Sequence, residues 1–416
     1  MADYALRCLA TDARLKDHYT NRYHERALLR AEYAAGSPTV EGQDGIWKWG
    51  GWLPASGPSS LTAGTVAYRS EGLAAVLGLE DLWITFHGYW PERGGACPTT
   101  TFKDLEAVPT LQRLKDHDIP GLICASAGNT ARAFAHFGGL AGYPILLVVA
   151  EKHLGRIWVP EDHPTESIRL VGVAGGHYND AIDVTGAILE EGGWRREGGV
   201  HNVARRDGIA TLMLEMVERS GRLPQHYFQG VGGGPGPIGV HEMNLRILNA
   251  GLVPGELPAI HIAQNSSFAP IHHAWKAGRR ALIPEDMPQR DVHVFSDFLV
   301  NRTPAYSLGG GLYDVLTESR GDTYAVSTME AQEASELFRE AEGIDVLSPA
   351  AVALAALRQA VADGRVGRKE CILLNVSGGG QERLKREVAL RTVEPLVVTD
   401  KASAVEAGLS VIRGEA

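Results

Sequence analysis

Thr101-Phe102-Lys103-Asp104-Leu105-Glu106 is the stretch on which the rest of the chain depends. Alone it says little, because most lysines are solvated surface charges. From Asp104 to His117, however, Leu105, Val108, Leu111 and Leu114 repeat at helical spacing. Lys103 is therefore expected at a helix start, where backbone N–H groups point outward. Three further loops follow in order. Ser126-Ala127-Gly128-Asn129-Thr130 lies between the apolar run Gly121-Leu122-Ile123-Cys124 and the alanine-rich run Thr130 to Leu140. Tyr227-Phe228-Gln229-Gly230-Val231 runs into Gly232-Gly233-Gly234-Pro235-Gly236-Pro237, and Ile372-Leu373-Leu374-Asn375-Val376 runs into Ser377-Gly378-Gly379-Gly380.

At 416 residues the chain exceeds what one minimal core needs, so two domains, or one with a large subdomain, are expected. Hydrophobic residues make up 44% and charged residues 22%, an ordinary globular balance. A formal net charge of −10 argues against nucleic acid or an anionic membrane as partner, while leaving room for a local cationic pocket. Cys8, Cys97, Cys124 and Cys371 are scattered with no CxxC pair, which reads as reduced thiols in the cytoplasm. Met1 to Arg14 lacks an apolar core of signal-peptide length, and no run reaches the roughly 18–20 apolar residues of a membrane helix.

Strands and helices alternate after Lys103. Leu82-Trp83-Ile84-Thr85-Phe86 reads as a strand before it. Gly121 to Cys124, Ile145 to Val149 and Ile168 to Val173 read as strands after it, and Tyr178 to Glu190 as a helix. Such alternation predicts parallel sheets covered by helices, an α/β fold. The glycine loop at 232–236 follows a strand and precedes the helical run Ile238 to Leu248, which suits a phosphate. Pro235 and Pro237 have no N–H, so Gly232, Gly233, Gly234 and Gly236 must supply the donors.

The lysine, asparagine loop, glycine loop and late serine loop, in that order, resemble the fold-type II family of pyridoxal phosphate enzymes. The resemblance is greatest to its threonine synthase-like, cysteate synthase branch. It extends to Gly88-Tyr89-Trp90-Pro91-Glu92, Arg132-Ala133-Phe134-Ala135-His136, Asn202-Val203-Ala204-Arg205-Arg206, Asn301-Arg302, Gly310-Gly311-Leu312-Tyr313-Asp314 and Glu342-Gly343-Ile344-Asp345. It implies two three-layer α/β domains with pyridoxal 5'-phosphate in the cleft between them. Residues 41–115 and 200–416 would form the large domain, and 116–199 the small one. Residues 1–40 would be a degenerate zinc-ribbon-like segment that keeps only Cys8, so no metal is expected. Pro235 is a second departure, since the family has a hydroxyl residue there.

By the same resemblance Lys103 holds the cofactor's aldehyde as a Schiff base and moves the substrate's α-proton. Asn129 donates to the phenolate oxygen, Gly232, Gly233, Gly234 and Gly236 cradle the phosphate, and Ser377 faces the pyridine nitrogen. Ser126, Ala127 and Thr130 take the substrate carboxylate. Arg132, Arg205, Arg206 and Arg302 are the candidates for a second anion. Asp104 and Glu106 are read as ordinary helix-start charges. A neutral serine at the nitrogen suits replacement at the β-carbon. The implied reaction joins sulfite, a small anionic nucleophile, to O-phospho-L-serine, giving L-cysteate and phosphate. Threonine synthase chemistry on O-phosphohomoserine, or another nucleophile on phosphoserine, stays open. A cytoplasmic homodimer is expected.

Overall fold

Every residue of Ile145–Ala150 is buried, and so is every residue of Ile372–Gly379. Strands covered on both faces read as unbroken apolar runs, and these two occupy the middles of two sheets. In the computed structural model, which describes residues 3–34, 36–188, 191–288 and 292–415, the smaller sheet is entirely parallel. Its order is Arg195–Arg196, Leu122–Ser126, Ile145–Ala150, Ile168–Val173, Val397–Thr399. The larger sheet runs Asp322–Val326, Ala259–Asn265, His226–Gly230, Ile372–Gly379, Leu82–Trp90, Val66–Arg69. It is parallel apart from Val66–Arg69 and the short Gly95–Ala96, which both pair antiparallel with Leu82–Trp90.

Differences from the sequence reading fall where periodicity is weakest. Residues 200–416 were all expected with the larger sheet, yet Val397–Thr399 pairs with Ile168–Val173 on the smaller one. The helix Lys401–Arg413 then buries Ala404, Leu409, Val411 and Ile412 against Val171 and Val173. A three-residue strand carries no period to read, so only packing assigns it. The helix at Tyr178 ends at Ala187, and residues 189 and 190 of the expected helix lie outside the described residues. Residues 1–40 contribute a three-stranded antiparallel sheet, Arg14–Leu15, Tyr4–Cys8, Leu29–Tyr33. Leu6, Cys8, Ala27, Leu29 and Ala31 share a small core there with Val203.

The helix Lys103–Asp116 joins these parts, packing on both Asn129–Ala141 and Val203–Ser220. Its start is tied to the larger sheet: the Phe102 N–H donates to the Ser377 carbonyl at 3.0 Å, and Thr101 bridges to Gly378. Lys103 is thereby delivered to the carboxyl end of Ile372–Gly379. Parallel sheets open their binding crevices at that end of the strands.

Candidate active site

A cavity of about 830 Å³ lies at the carboxyl ends of Leu122–Ser126, His226–Gly230 and Ile372–Gly379. Lys103, Ser126, Ala127, Asn129, Thr130, Gly232, Gly233, Gly234, Gly236 and Ser377 all line it. Residues separated by more than 270 positions in sequence therefore share one wall. Among the described residues Lys103 is the only lysine there.

The Asn129 loop is rigid for a local reason. The Ser126 hydroxyl oxygen accepts from the Gly128 and Ala131 N–H groups, both at 3.0 Å, and so satisfies donors at the start of the helix. Its own O–H remains able to donate. Gly128 sits at φ +135°, and a Cβ there would lie 2.9 Å from Arg156 Cδ, so a side chain would be strained. Asn129 Oδ1 accepts from Arg132 Nη2 at 3.0 Å, which fixes the amide and turns its NH2 away from that contact.

The glycine loop ends at Gly234, φ +100°, followed by the helix Pro235–Asn249 with Pro235 in its first turn. A Cβ on Gly234 would stand 2.8 Å from Leu312 Cδ1, and one on Gly233 would stand 3.0 Å from Asn301 Nδ2. The loop is thus a bare backbone cradle opening on a helix N-terminus, which fits a phosphate dianion. Beneath it Asn375 Nδ2 donates to Tyr227 at 2.8 Å, and Tyr227 donates to Gln229 Oε1 at 2.6 Å. Gln229 and Asn301 both line the cavity and were not singled out from sequence. Their only signal was adjacency to the glycine run and to Arg302. Ser377 is buried and carries no charge, so it suits a ring nitrogen as a neutral partner.

Three of the expected anion-binding arginines are elsewhere. Arg132 is buried under the Asn129 loop, donating to the Thr99 carbonyl (2.9 Å), the Arg156 carbonyl (3.3 Å) and Asn129, and stacking 4.4 Å over Trp158. It is a brace rather than a ligand, because its donors are used. Arg302 donates to the Pro288 carbonyl at 3.3 Å and lies 5.8 Å over Phe268, outside the cavity lining. Arg206 also faces the interior, paired with Glu242 at 3.1 Å. Arg205 does line the cavity, but its guanidinium is shared between Glu106 (3.0 Å) and Glu197 (2.8 Å). Arg22, Arg195 and Arg196 line the cavity as well and were not expected.

The acidic residues beside Lys103 divide. Asp104 faces away from the cavity and accepts from the Thr99 N–H (3.2 Å) and hydroxyl. Burial pushes its carboxyl up to about 7. Glu106, one helical turn on, is in direct contact with Lys103 Nζ. Burial lowers the Lys103 amine from the ordinary lysine range, with Glu106 opposing and Arg205 adding to that effect. A lowered amine pKa is what a nucleophile and base needs near neutrality.

The geometry fits pyridoxal phosphate: one half-buried lysine, a fixed amide, a phosphate cradle and a neutral hydroxyl around one cavity. Residues 69–378 match the family described as pyridoxal-phosphate dependent enzyme. The chain is 45% identical over 403 residues to the cysteate synthase of Methanocella arvoryzae, covering 95% of this chain and 96% of that one. It is 43% identical over 401 residues to the cysteate synthase of Methanocella paludicola, covering 95% and 94%. Among solved structures it is similar to maize serine racemase, with a TM-score of 0.58 and 18% identity over 78% of this chain and 91% of that one. That last likeness concerns the fold. Identity of this extent over nearly the whole length shows the relationship directly: the chain belongs to the cysteate synthase family of pyridoxal-phosphate-dependent enzymes.

Proposed function

We infer that this chain replaces the phosphate of O-phospho-L-serine with sulfite, releasing L-cysteate and phosphate. The observation that carries this reading is its chain-long identity to proteins named cysteate synthase, with the cavity residues in compatible places. Pyridoxal phosphate, when bound, supplies the electron withdrawal from the α-carbon that lets the α-proton and then the β-phosphate depart. Lys103 would anchor the cofactor and take the α-proton, which its lowered pKa favours. Gly232, Gly233, Gly234 and Gly236 would hold the cofactor phosphate through backbone N–H groups. The Asn129 amide would donate to the ring oxygen, and Ser377 would hydrogen-bond the ring nitrogen without adding charge. The Ser126 hydroxyl and the N–H groups of Ala127 and Thr130 would receive the substrate carboxylate. Arg205 is already bound by two carboxylates, so Arg22 and Arg195 are the better-placed cations for the leaving phosphate or entering sulfite.

Purified enzyme mixed with pyridoxal phosphate, O-phosphoserine and sulfite should yield a product with the mass of cysteate and one phosphate per turnover. Turnover of O-phosphohomoserine to threonine, with O-phosphoserine inert, would overturn the reading in favour of threonine synthase. Consumption of O-phosphoserine without cysteate would retain the leaving group and reject sulfite.

A further inference from the structure

Lys103 Nζ does not end in open cavity. It contacts Glu106, whose second oxygen lies 3.0 Å from Arg205 Nη2, while Arg205 Nη1 lies 2.8 Å from Glu197. The four side chains form a chain of alternating charge, lysine, carboxylate, guanidinium, carboxylate, summing to zero. Side-chain exposure is 15% for Lys103, 1% for Glu106, 12% for Arg205 and 7% for Glu197. Glu106 is not part of the cavity lining, so it reaches substrate or cofactor only through Lys103 and Arg205. Glu197 is held in turn: its Oε2 accepts from the Gly199 N–H at 2.8 Å and its carbonyl from Asn202 Nδ2 at 3.0 Å.

We propose that Glu106 is the counter-ion that keeps a proton at Nζ of Lys103, and that Arg205 and Glu197 are positioning residues that hold Glu106 aimed at that nitrogen. The inference rests on Lys103 being the cofactor's anchor. Its content is electrostatic: the cluster sets how readily Nζ gives up the proton it must alternately hold and release. The transfer is only of that proton, from Nζ to solvent or substrate and back, with Glu106 unchanged. The charged and titratable groups facing this point come from several elements. Glu106 lies on the lysine's own helix, Arg205 on Val203–Ser220 and Glu197 beside Arg195–Arg196. Tyr178 lies on Tyr178–Ala187, with its phenol pushed up to about 12 by burial, and Cys124 on Leu122–Ser126, raised by burial. Both are neutral near pH 7. Asp104 and Arg132 face the opposite side, toward Thr99. Arg205 Nε is buried without a hydrogen-bond partner, so the cluster is not fully saturated.

The arrangement predicts a pattern of signs. In Glu106→Gln an adjacent anion is lost, so the pH midpoint of the bound cofactor's visible absorption should fall by about one unit or more, a tenfold change in the protonated-to-neutral ratio at fixed pH. Glu197→Gln should lower it less, being farther away and acting on Arg205. Arg205→Gln should raise it, leaving two carboxylates for one lysine. A variant too weak to hold cofactor is read instead by the pH dependence of amine methylation at Lys103 in the full chain, followed by mass spectrometry, with the same signs expected. A merely structural role would shift all three variants alike, or shift stability and leave the midpoint in place. Either result, or a midpoint in Glu106→Gln within about 0.3 units of wild type, overturns the proposal. If wild type takes up pyridoxal phosphate without visible absorption and without a borohydride-stable bond to Lys103, the anchor assignment fails instead. The methylation series then still decides the role of Glu106.

Discussion

One helix carries two buried charge clusters, and they are built differently. At its start Lys103 meets Glu106, Arg205 and Glu197; near its end Arg113 meets Asp17. Arg113 is fully enclosed and every arm of its fork is used. It donates to both Asp17 oxygens (2.7 and 2.8 Å), to Asn21 and Asn202 (both 2.9 Å) and to the Thr20 carbonyl (3.2 Å). Asp17 also accepts from Tyr4 at 2.6 Å. Burial would raise the Asp17 carboxyl, but His117, whose Nε2 lies 3.4 Å away, and the hydrogen bonds from Arg113 hold it well below the usual carboxylate range. The cavity cluster, by contrast, leaves Arg205 Nε without a partner and holds its lysine amine below the ordinary range. A saturated buried ion pair locks one geometry. An unsaturated one retains the capacity to change protonation, which chemistry requires. Asn202 touches both, donating to the Glu197 carbonyl and accepting from Arg113, so the architectural cluster steadies the reactive one.

The sharpest way to separate the two ends is to delete each in turn. Lys103→Ala should abolish the visible absorption of bound cofactor and lower turnover by about a thousandfold, with folding retained; absorbance and product assays check it. Retention of a borohydride-stable adduct would place the anchor elsewhere. Asp17→Asn should do the reverse, costing roughly 3–5 kcal/mol of stability by leaving Arg113 buried and uncompensated, while Lys103 still takes up cofactor. Urea unfolding measures the loss. Because the folded-state pKa of Asp17 is depressed, its stabilisation is present above the ordinary aspartate value of about 4 and disappears as pH falls below it. The gap between wild type and variant should close in acid.

A smaller effect is expected at the phosphate cradle. Gly234→Ala forces a left-handed backbone and a contact at 2.8 Å with Leu312, for a cost of roughly 1–3 kcal/mol. Weaker cofactor retention should accompany the loss, and a variant with native stability and retention would remove the loop from the site. The smallest net effect comes from two buried groups whose slopes oppose. Burial lowers His87 from 6.5 to about 4, so its contribution is full above 6.5 and is lost as pH falls toward 4. Burial raises Asp104 to about 7, so its contribution is full below the ordinary aspartate value and is lost as pH rises through 7. These two contributions should nearly cancel between those limits. Asp104→Asn should become more stable relative to wild type as pH rises across the window, and His87→Asn should lose the acid-side decline. Thermal midpoints across pH check both.

Much of this site was legible because its parts are local. Ser126-Ala127-Gly128-Asn129-Thr130 and Gly232 to Gly236 are loops whose backbone conformations demand glycine, and such demands are written at single positions. Lys103 at a helix start followed from the spacing of Leu105, Val108, Leu111 and Leu114. The arginines were a different matter. Arg132, Arg206 and Arg302 stood in motifs as plausible as that of Arg205, and only the fold shows which guanidinium reaches the cavity. Glu106 was quoted beside the lysine and read as a helix-start charge, although its spacing of three from Lys103 already placed both on one face.

The sequence by itself therefore determined the alternation of strands and helices, the order of the loops and the residue types that suit a phosphate and an aldehyde. These depend on periodicity and on φ, which are properties of short segments. The tertiary structure alone decided where Val397–Thr399 pairs, which cations are already neutralised and what lies behind Lys103. Those outcomes turn on Coulomb interactions and burial between side chains far apart in sequence, and such energies exist only once the chain has brought them within a few ångströms.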